Sequence, residues 1–327
     1  MNKSWGRLIH YVTRVCMLLI AVAALMACAQ TSVTNVGQTT AARPTPTTAT
    51  TSSQAQGQQP LPLLAYYYIW FDQQSWNRAK KDLPALGPYS SDDRKVMQQH
   101  IQWAKQAGIQ GFIVSWKSTD TLNRRLKQLI EVANQEDFKL VIIYQGLDFD
   151  RNPLPADRIA TDLDYFTQQY ANNKAFALFD RPAVIWSGTW KFSREDVAKV
   201  TATRRKQLLI LASQRNVDEY KQLADLVDGD AYYWSSVNPD TYPGYQKKLD
   251  AMAQAVHSYK GLWIAPAAAG FDARMIGGTT TVERNDGAML RRQMDAAIQS
   301  SPDAVGLISW NEFSENSYIE PSQKYGR

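Results

Sequence analysis

From residue 63 onward the chain alternates two patterns. Short, unbroken apolar runs cover residues 63–69, 111–116, 139–144, 183–186, 207–213, 230–234, 262–265 and 305–310. Runs of that length, rich in β-branched and aromatic residues and bounded by Gly, Pro, Asn or Asp, predict strands. Between them apolar residues recur every three or four positions, which predicts helices over 92–107, 121–134, 157–170, from Ser193, 217–226, 245–259 and 286–300. Ser90 or Ser91 is placed to cap the first helix, and Gly108 to stop it. His100 falls on that helix's apolar face, where a buried histidine with satisfied nitrogens is expected.

The strands are apolar throughout rather than alternating, as when both faces of a parallel sheet are covered. Strand and helix repeat over about 267 residues, the size of a (β/α)8 TIM barrel. A doubly wound open sheet would place a glycine-rich phosphate loop after its first strand, and here that position reads Trp70-Phe71-Asp72-Gln73-Gln74. The expected architecture is therefore a single α/β barrel domain over 61–327. Its eighth helix is missing or truncated, since little chain follows the last strand.

Residues 1–60 carry neither pattern. Lys3, Arg7 and Arg14 precede an apolar run from Val15 to Met26, then Ala27-Cys28. Such a run is short for a bilayer span and suits a signal peptide. The sequence Leu25-Met26-Ala27-Cys28 resembles a bacterial lipobox, so residues 1–27 are expected to be a lipoprotein signal peptide and Cys28 the lipidated first residue. Residues 28–60 are rich in Thr, Ser, Gln and Ala with Arg43 the one charge. That composition predicts a flexible tether spanning roughly 30 Å. Export across the cytoplasmic membrane and a lipid anchor at the cell envelope follow.

Charge and composition narrow the chemistry. The formal net charge of +5 falls to +2 once the signal's three basic residues are removed, which leaves no footprint for nucleic acid. Cys16 lies in the signal, so the mature chain has no disulfide, thiol nucleophile or cysteine zinc site. His100 and His257 are its two histidines, too few for a multi-histidine metal centre. No metal and no cofactor are expected, and a monomer is.

In a barrel of this kind the chemistry sits at the C-terminal strand ends. Trp70, Trp116, Trp186, Trp234 and Trp310 all fall there, five of the chain's 10 tryptophans. Flat aromatic faces stack on pyranose rings, while polar side chains bond the hydroxyls. Asp72, Ser115, Gln145, Asp148, Ser187 and Asn311 supply such groups. After the last strand stand Glu312 and Glu315, three residues apart. Glycoside hydrolysis uses two placed carboxyl groups, one giving a proton and one charged. Trp70, Trp116, Trp186 and Trp234 are expected to line one cleft with these glutamates. Glu315 is expected against apolar surface with its proton held near neutral pH, and Glu312, beside Asn311, ionised.

Three stretches carry a family resemblance: Tyr67-Tyr68-Ile69-Trp70-Phe71; Gly87-Pro88-Tyr89-Ser90-Ser91-Asp92 continuing through His100 to Trp116; and Trp310-Asn311-Glu312-Phe313-Ser314-Glu315 with Tyr318-Ile319-Glu320-Pro321. Weaker similarity runs through Gly270-Phe271-Asp272-Ala273-Arg274. Together they resemble the endo-α-mannosidase group, glycoside hydrolase family 99 and its bacterial relatives. The endo-α-1,3-glucanases of family 71 are the nearest alternative. The resemblance implies retaining cleavage of α-linked glycans. It makes Glu315 the general acid/base and Glu312 a base toward the sugar 2-hydroxyl, through a 1,2-anhydro intermediate. Gln145, Arg274 and Asn311 would contact substrate. The chain departs from that family at Gln145-Gly146-Leu147, Met275-Ile276 and Phe313-Ser314. The residues alone leave an ordinary carboxylate nucleophile equally open. The expected function is a lipid-anchored, metal-independent glycoside hydrolase acting on an α-linked polysaccharide or oligosaccharide; the rival is a non-catalytic glycan-binding lipoprotein.

Overall fold

The computed structural model describes residues 60–326. The predicted signal peptide and tether, with Cys28, lie outside the described residues except for Pro60. The strands are β1 Leu63–Tyr68, β2 Gly111–Trp116, β3 Lys139–Gln145, β4 Ala183–Ser187, β5 Leu209–Leu211, β6 Gly229–Ala231, β7 Leu262–Ala268, β8 Phe271–Asp272, β9 Thr281–Val282 and β10 Ala304–Ile308. Eight of them pair in parallel in the order β5-β4-β3-β2-β1-β10-β7-β6. The two ends meet at a parallel bridge between Ala212 and Asp230. There the Ala212 N–H donates to the Gly229 carbonyl and the Ala231 N–H to the Ala212 carbonyl, both at 2.9 Å. The sheet thus closes into the expected barrel. β8 and β9 form a small antiparallel hairpin inside the loop after β7.

Helices α1 Arg94–Gln106, α2 Asp120–Gln135, α3 Ala156–Gln169, α4 Arg194–Thr201, α5 Val217–Lys221, α6 Tyr245–Ser258 and α7 Ala288–Gln299 connect the strands. Their starts are chemically marked. The side chains of Asp93, Thr119, Ser193 and Asn216 each accept an N–H from the first turn. They satisfy donors that have no partner within the helix. The cap of α1 is Asp93 rather than Ser90 or Ser91; the Ser91 hydroxyl instead accepts the Phe71 N–H at 3.1 Å.

Because a strand turns successive side chains to opposite faces, the barrel builds two cores. Leu64, Tyr66, Ile113, Val141, Ile143, Ile185, Leu211, Ile264 and Ile308 fill its interior. Ala65, Tyr67, Phe112, Val114, Ile142, Val184, Ile210, Trp263 and Leu307 point outward and meet the helices. Gly306 faces inward, where a Cβ would come within 2.9 Å of the Tyr66 ring, so its lack of a side chain makes room for that tyrosine.

Several expected boundaries shift. β7 runs to Ala268, through Pro266. A proline carries no ladder donor and is tolerated where a neighbouring strand has stopped; β6 pairs with β7 only as far as Ile264. Among the described residues no α-helix follows β10. Residues 309–326 instead fold back over the strand ends. Ile319 N–H bonds the Ser309 and Trp310 carbonyls at 2.8 and 3.0 Å, and the Ala85 N–H bonds the Pro321 carbonyl at 2.8 Å. Where an eighth helix would lie, aromatic rings pack. Tyr67 stacks on Phe112 with centroids 4.4 Å apart, and Trp310 lies 5.3 Å from Phe112 and 5.7 Å from His100.

Candidate active site

Glu312 and Glu315 sit on a short loop that β10 delivers to the barrel mouth. The loop is tied to itself: the Glu312 N–H donates to the Ser309 hydroxyl at 3.0 Å, and the Ser309 N–H to the Ser317 carbonyl at 2.9 Å. The Ser314 N–H donates to Glu312 Oε1 at 3.0 Å. Between the glutamates, Phe313 is buried, stacked on Tyr318 at 4.0 Å and set edge-on to Trp76 at 5.6 Å. This aromatic anchor decides which way the flanking carboxylates face. The hairpin of β8 and β9 supports the far side, where the Asp272 N–H donates to the Glu315 carbonyl at 2.7 Å.

Asn311 does something the sequence did not suggest. Its side chain is fully buried and pairs with the backbone of β1: the Tyr68 N–H donates to Oδ1 at 2.8 Å, and Nδ2 donates to the Tyr68 carbonyl at 2.9 Å. The carboxamide acts as one more peptide in the β10–β1 ladder, after the backbone bond from Trp310 N–H to the Tyr66 carbonyl at 2.7 Å. Nδ2 also lies 3.2 Å from the Tyr89 hydroxyl. That hydroxyl donates to Glu320 at 2.9 Å; the other oxygen of Glu320 meets His100 Nε2 at 3.0 Å; and His100 Nδ1 meets the Tyr67 hydroxyl at 3.1 Å. A buried polar chain therefore runs from α1 to the loop that carries Glu312 and Glu315, every member partnered, as low dielectric demands. His100 is buried and satisfied, as expected.

Burial pushes both carboxyls up, Glu312 to about 8 with Glu315 as the next cause, and Glu315 to about 7 with Arg151 opposing. They titrate as a pair, so the proton near neutral pH belongs to both. This corrects the expectation that Glu312 is held ionised beside Asn311: the amide is committed to Tyr68, and among the described residues no cation forms an ion pair with Glu312. Lys80 acts on it only as a nearby charge.

Two tyrosines complete the mouth. The hydroxyls of Tyr68 and Tyr233 are 2.7 Å apart. Burial, and after it the charges of Glu312 and Glu315, raise the ionisation of Tyr68, while burial, Tyr68 and Glu315 do so at Tyr233. Both feel the charge of the carboxyl pair. Gln145 also reaches the mouth, donating to the Ser115 hydroxyl at 3.0 Å, with Ser187 beside it in register. Sequence reading missed Tyr68, Tyr233, Arg151, Tyr89 and Glu320. Once the register of the sheet is known, strand parity places the tyrosines: Tyr68 shares a face with Leu64 and Tyr66, and Tyr233 with Ala231.

The same parity corrects Trp116, Trp186 and Trp234, while Trp310 lies beyond the end of β10. Only Trp70 presents a face at the mouth; it is 42% exposed and stacks on Tyr68 at 4.3 Å. Trp116 is buried outside the barrel wall against Tyr144 and Phe166, with Nε1 donating to Asn123 at 3.0 Å. Trp186 packs on Phe192 at 4.7 Å, Trp234 stacks on Tyr245 of α6 at 4.9 Å, and Trp310 is buried against His100. None of these four lines a cleft with the glutamates. Arg274 is tied to Asp272, Nη2 to Oδ2 at 2.6 Å, and Asp272 also pairs with Lys81. Both cations hold the Asp272 carboxyl well below the usual range. Asp72 caps the turn at Gln73–Asn77 and Asp148 caps its own loop, so both serve the backbone.

A parallel barrel whose last strand leads into a buried and a half-buried carboxyl at the mouth, with an exposed indole at the same end, has the organisation of a glycoside hydrolase. Residues 86–326 match glycosyl hydrolase family 71, and the chain belongs to that family. Among solved structures the chain is similar to the family 99 endo-alpha-mannosidase from Bacteroides thetaiotaomicron, with a TM-score of 0.70 and 20% identity over 80% of this chain and 87% of that one. It is also similar to a glycoside hydrolase-like protein, with a TM-score of 0.57 and 15% identity over 80% and 87% of the two chains. These likenesses show the shared (β/α)8 fold. No curated protein matches the chain.

Proposed function

We propose that Glu312 and Glu315 cleave an α-linked polysaccharide or oligosaccharide with retention of anomeric configuration and without a metal. The observation that carries this reading is the carboxyl pair itself: a buried Glu312 and a half-buried Glu315 on one tied loop, both raised toward neutral pH by loss of water. A pair sharing a proton can protonate a leaving oxygen while its other member stays charged. Glu315 serves as the acid and then the base at the glycosidic oxygen. Glu312 acts at the other side of the bond, attacking the anomeric carbon or taking the 2-hydroxyl proton. The two carboxyls stand three residues apart on one loop and the charge of Glu315 acts on Glu312, which supports the short separation of a retaining pair over the wider one that admits a water. Trp70 stacks a sugar ring, and Gln145 and Ser115 bond its hydroxyls. Membership of a glycosyl hydrolase family supports the reading. The same proposal holds the enzyme at the cell envelope by a lipid on Cys28, supported by the order of basic residues, apolar run and cysteine.

The test is incubation of the purified protein with α-mannan, α-1,3-glucan and aryl α-glycosides, with the first-formed anomer read by proton NMR. Release of the α-anomer first, unchanged by a chelator, is expected. The β-anomer first would instead make Glu312 the activator of a water, and no release from any of the three would overturn the proposal.

A further inference from the structure

Phe149 is 84% exposed, whereas the next most exposed large apolar side chain among the described residues, Ile298, is at 50%. A ring so open contributes almost nothing to stability through burial. Yet the loop beneath it is firmly built. Asp148 Oδ1 accepts the N–H groups of Asp150 and Asn152 at 2.9 and 2.8 Å, the Asp148 N–H bonds the Asn152 carbonyl at 2.9 Å, and Leu147 bridges Pro153. At its base Gly146 lies against β4, where a Cβ would come within 2.5 Å of the Ser187 carbonyl and of the Trp186 indole nitrogen. The loop is thus clamped between strands β3 and β4 and holds Phe149 in water.

The position of the loop gives that ring a use. Arg151, two residues on, acts on Glu315 with its charge. On the other flank Trp70 stacks on Tyr68, which feels both glutamates. The loop follows β3, whose last residue Gln145 bonds the Ser115 hydroxyl at the mouth, so Phe149 is carried at the same end of the barrel as Glu312, Glu315 and the exposed face of Trp70. Lys117 Nζ lies 5.2 Å from the Phe149 centroid, over one face. The opposite face is left for the slightly positive C–H face of a sugar.

We propose that Phe149 is an outlying glycan subsite at the barrel mouth, stacking a pyranose unit of the substrate chain away from the scissile bond. The proposal rests on the hydrolase reading for its ligand class, an α-linked glycan chain. It makes the enzyme sensitive to chain length.

The test is electrophoresis of wild type, Phe149→Ala and Phe149→Trp through gels cast with α-mannan or with carboxymethylated α-1,3-glucan, with thermal melts to confirm folding. Wild type and Phe149→Trp should be retarded in one of the gels, and Phe149→Ala should lose about tenfold in apparent affinity there. With a hydrolysed oligosaccharide series, the ratio of kcat/KM for long over short chains should fall in Phe149→Ala by a similar factor. Equal retardation of Phe149→Ala and wild type would overturn the subsite, as would no retardation of wild type in either gel. Retardation that depends on Phe149, with no hydrolysis of either polymer, would leave the subsite standing and bring down the catalytic reading alone.

Discussion

Glu312 and Glu315 have opposite effects on stability and on chemistry. In an unfolded chain each titrates near 4.5, but in the folded protein burial holds Glu312 up at about 8. Between those values the folded state binds more protons than the unfolded one, so stability falls as pH rises through that window. Glu312→Gln, which never ionises, should be more stable than wild type at pH 8–9, on the order of 1–3 kcal/mol, with the gain disappearing near pH 4.5. Urea melts across that range check it; a gain independent of pH would show that Glu312 titrates alike in the folded and unfolded protein. Activity should go the other way. Glu315→Gln should lose about 10²–10⁴-fold on poor leaving groups and far less on activated aryl glycosides, which depart unprotonated. Glu312→Gln should lose activity on both. Wild-type turnover in both variants would move the chemistry elsewhere on the rim.

Strand ends place side chains by parity, and one residue of offset separates a binding surface from a wall. On β2, Ser115 faces the mouth and Trp116 the helices; on β6 and its extension, Tyr233 faces in and Trp234 out. Trp116→Ala should therefore cost about 3–5 kcal/mol, the loss for a fully buried aromatic, by opening a cavity against Tyr144 and Phe166. Trp70→Ala should leave the melting temperature nearly unchanged and raise KM. The reverse pattern would mean that the indoles had been assigned to the wrong faces. Asn311 shows the same dependence of function on framework: it extends the ladder between β10 and β1, and its two bonds to Tyr68 set where the catalytic loop begins. Asn311→Ala leaves a buried N–H and carbonyl unpaired and should cost about 2–4 kcal/mol, with kcat falling alongside.

At the level of the entire chain, a closed barrel holds the carboxyl pair at one end, and residues 309–326 lock across that end by pairing with the loop after β1. Among the described residues no helix is long and apolar enough to cross a membrane. Membrane attachment in the proposal rests on Cys28. Cys28→Ser should shift the protein from the membrane fraction to the soluble one, because firm attachment requires the multiple acyl chains a lipoprotein cysteine receives. Unchanged fractionation would remove Cys28 from that role.

Local pattern was sufficient for the order of strands and helices, for the barrel, and for the two glutamates at the end of the last strand. Each of these follows from nearest-neighbour physics: period, caps, breakers, and a polar segment after a buried run. Trp116, Trp186, Trp234 and Trp310 could not be placed in the same way, because which face of a strand meets the helices is set by register against its neighbours, and a shift of one residue reverses it. The role of Asn311, the network through Tyr89, Glu320 and His100, and the approach of Arg151 to Glu315 join residues distant in the chain. Only closure of the barrel brings those groups together, and the low dielectric it creates is what raises both carboxyls at once.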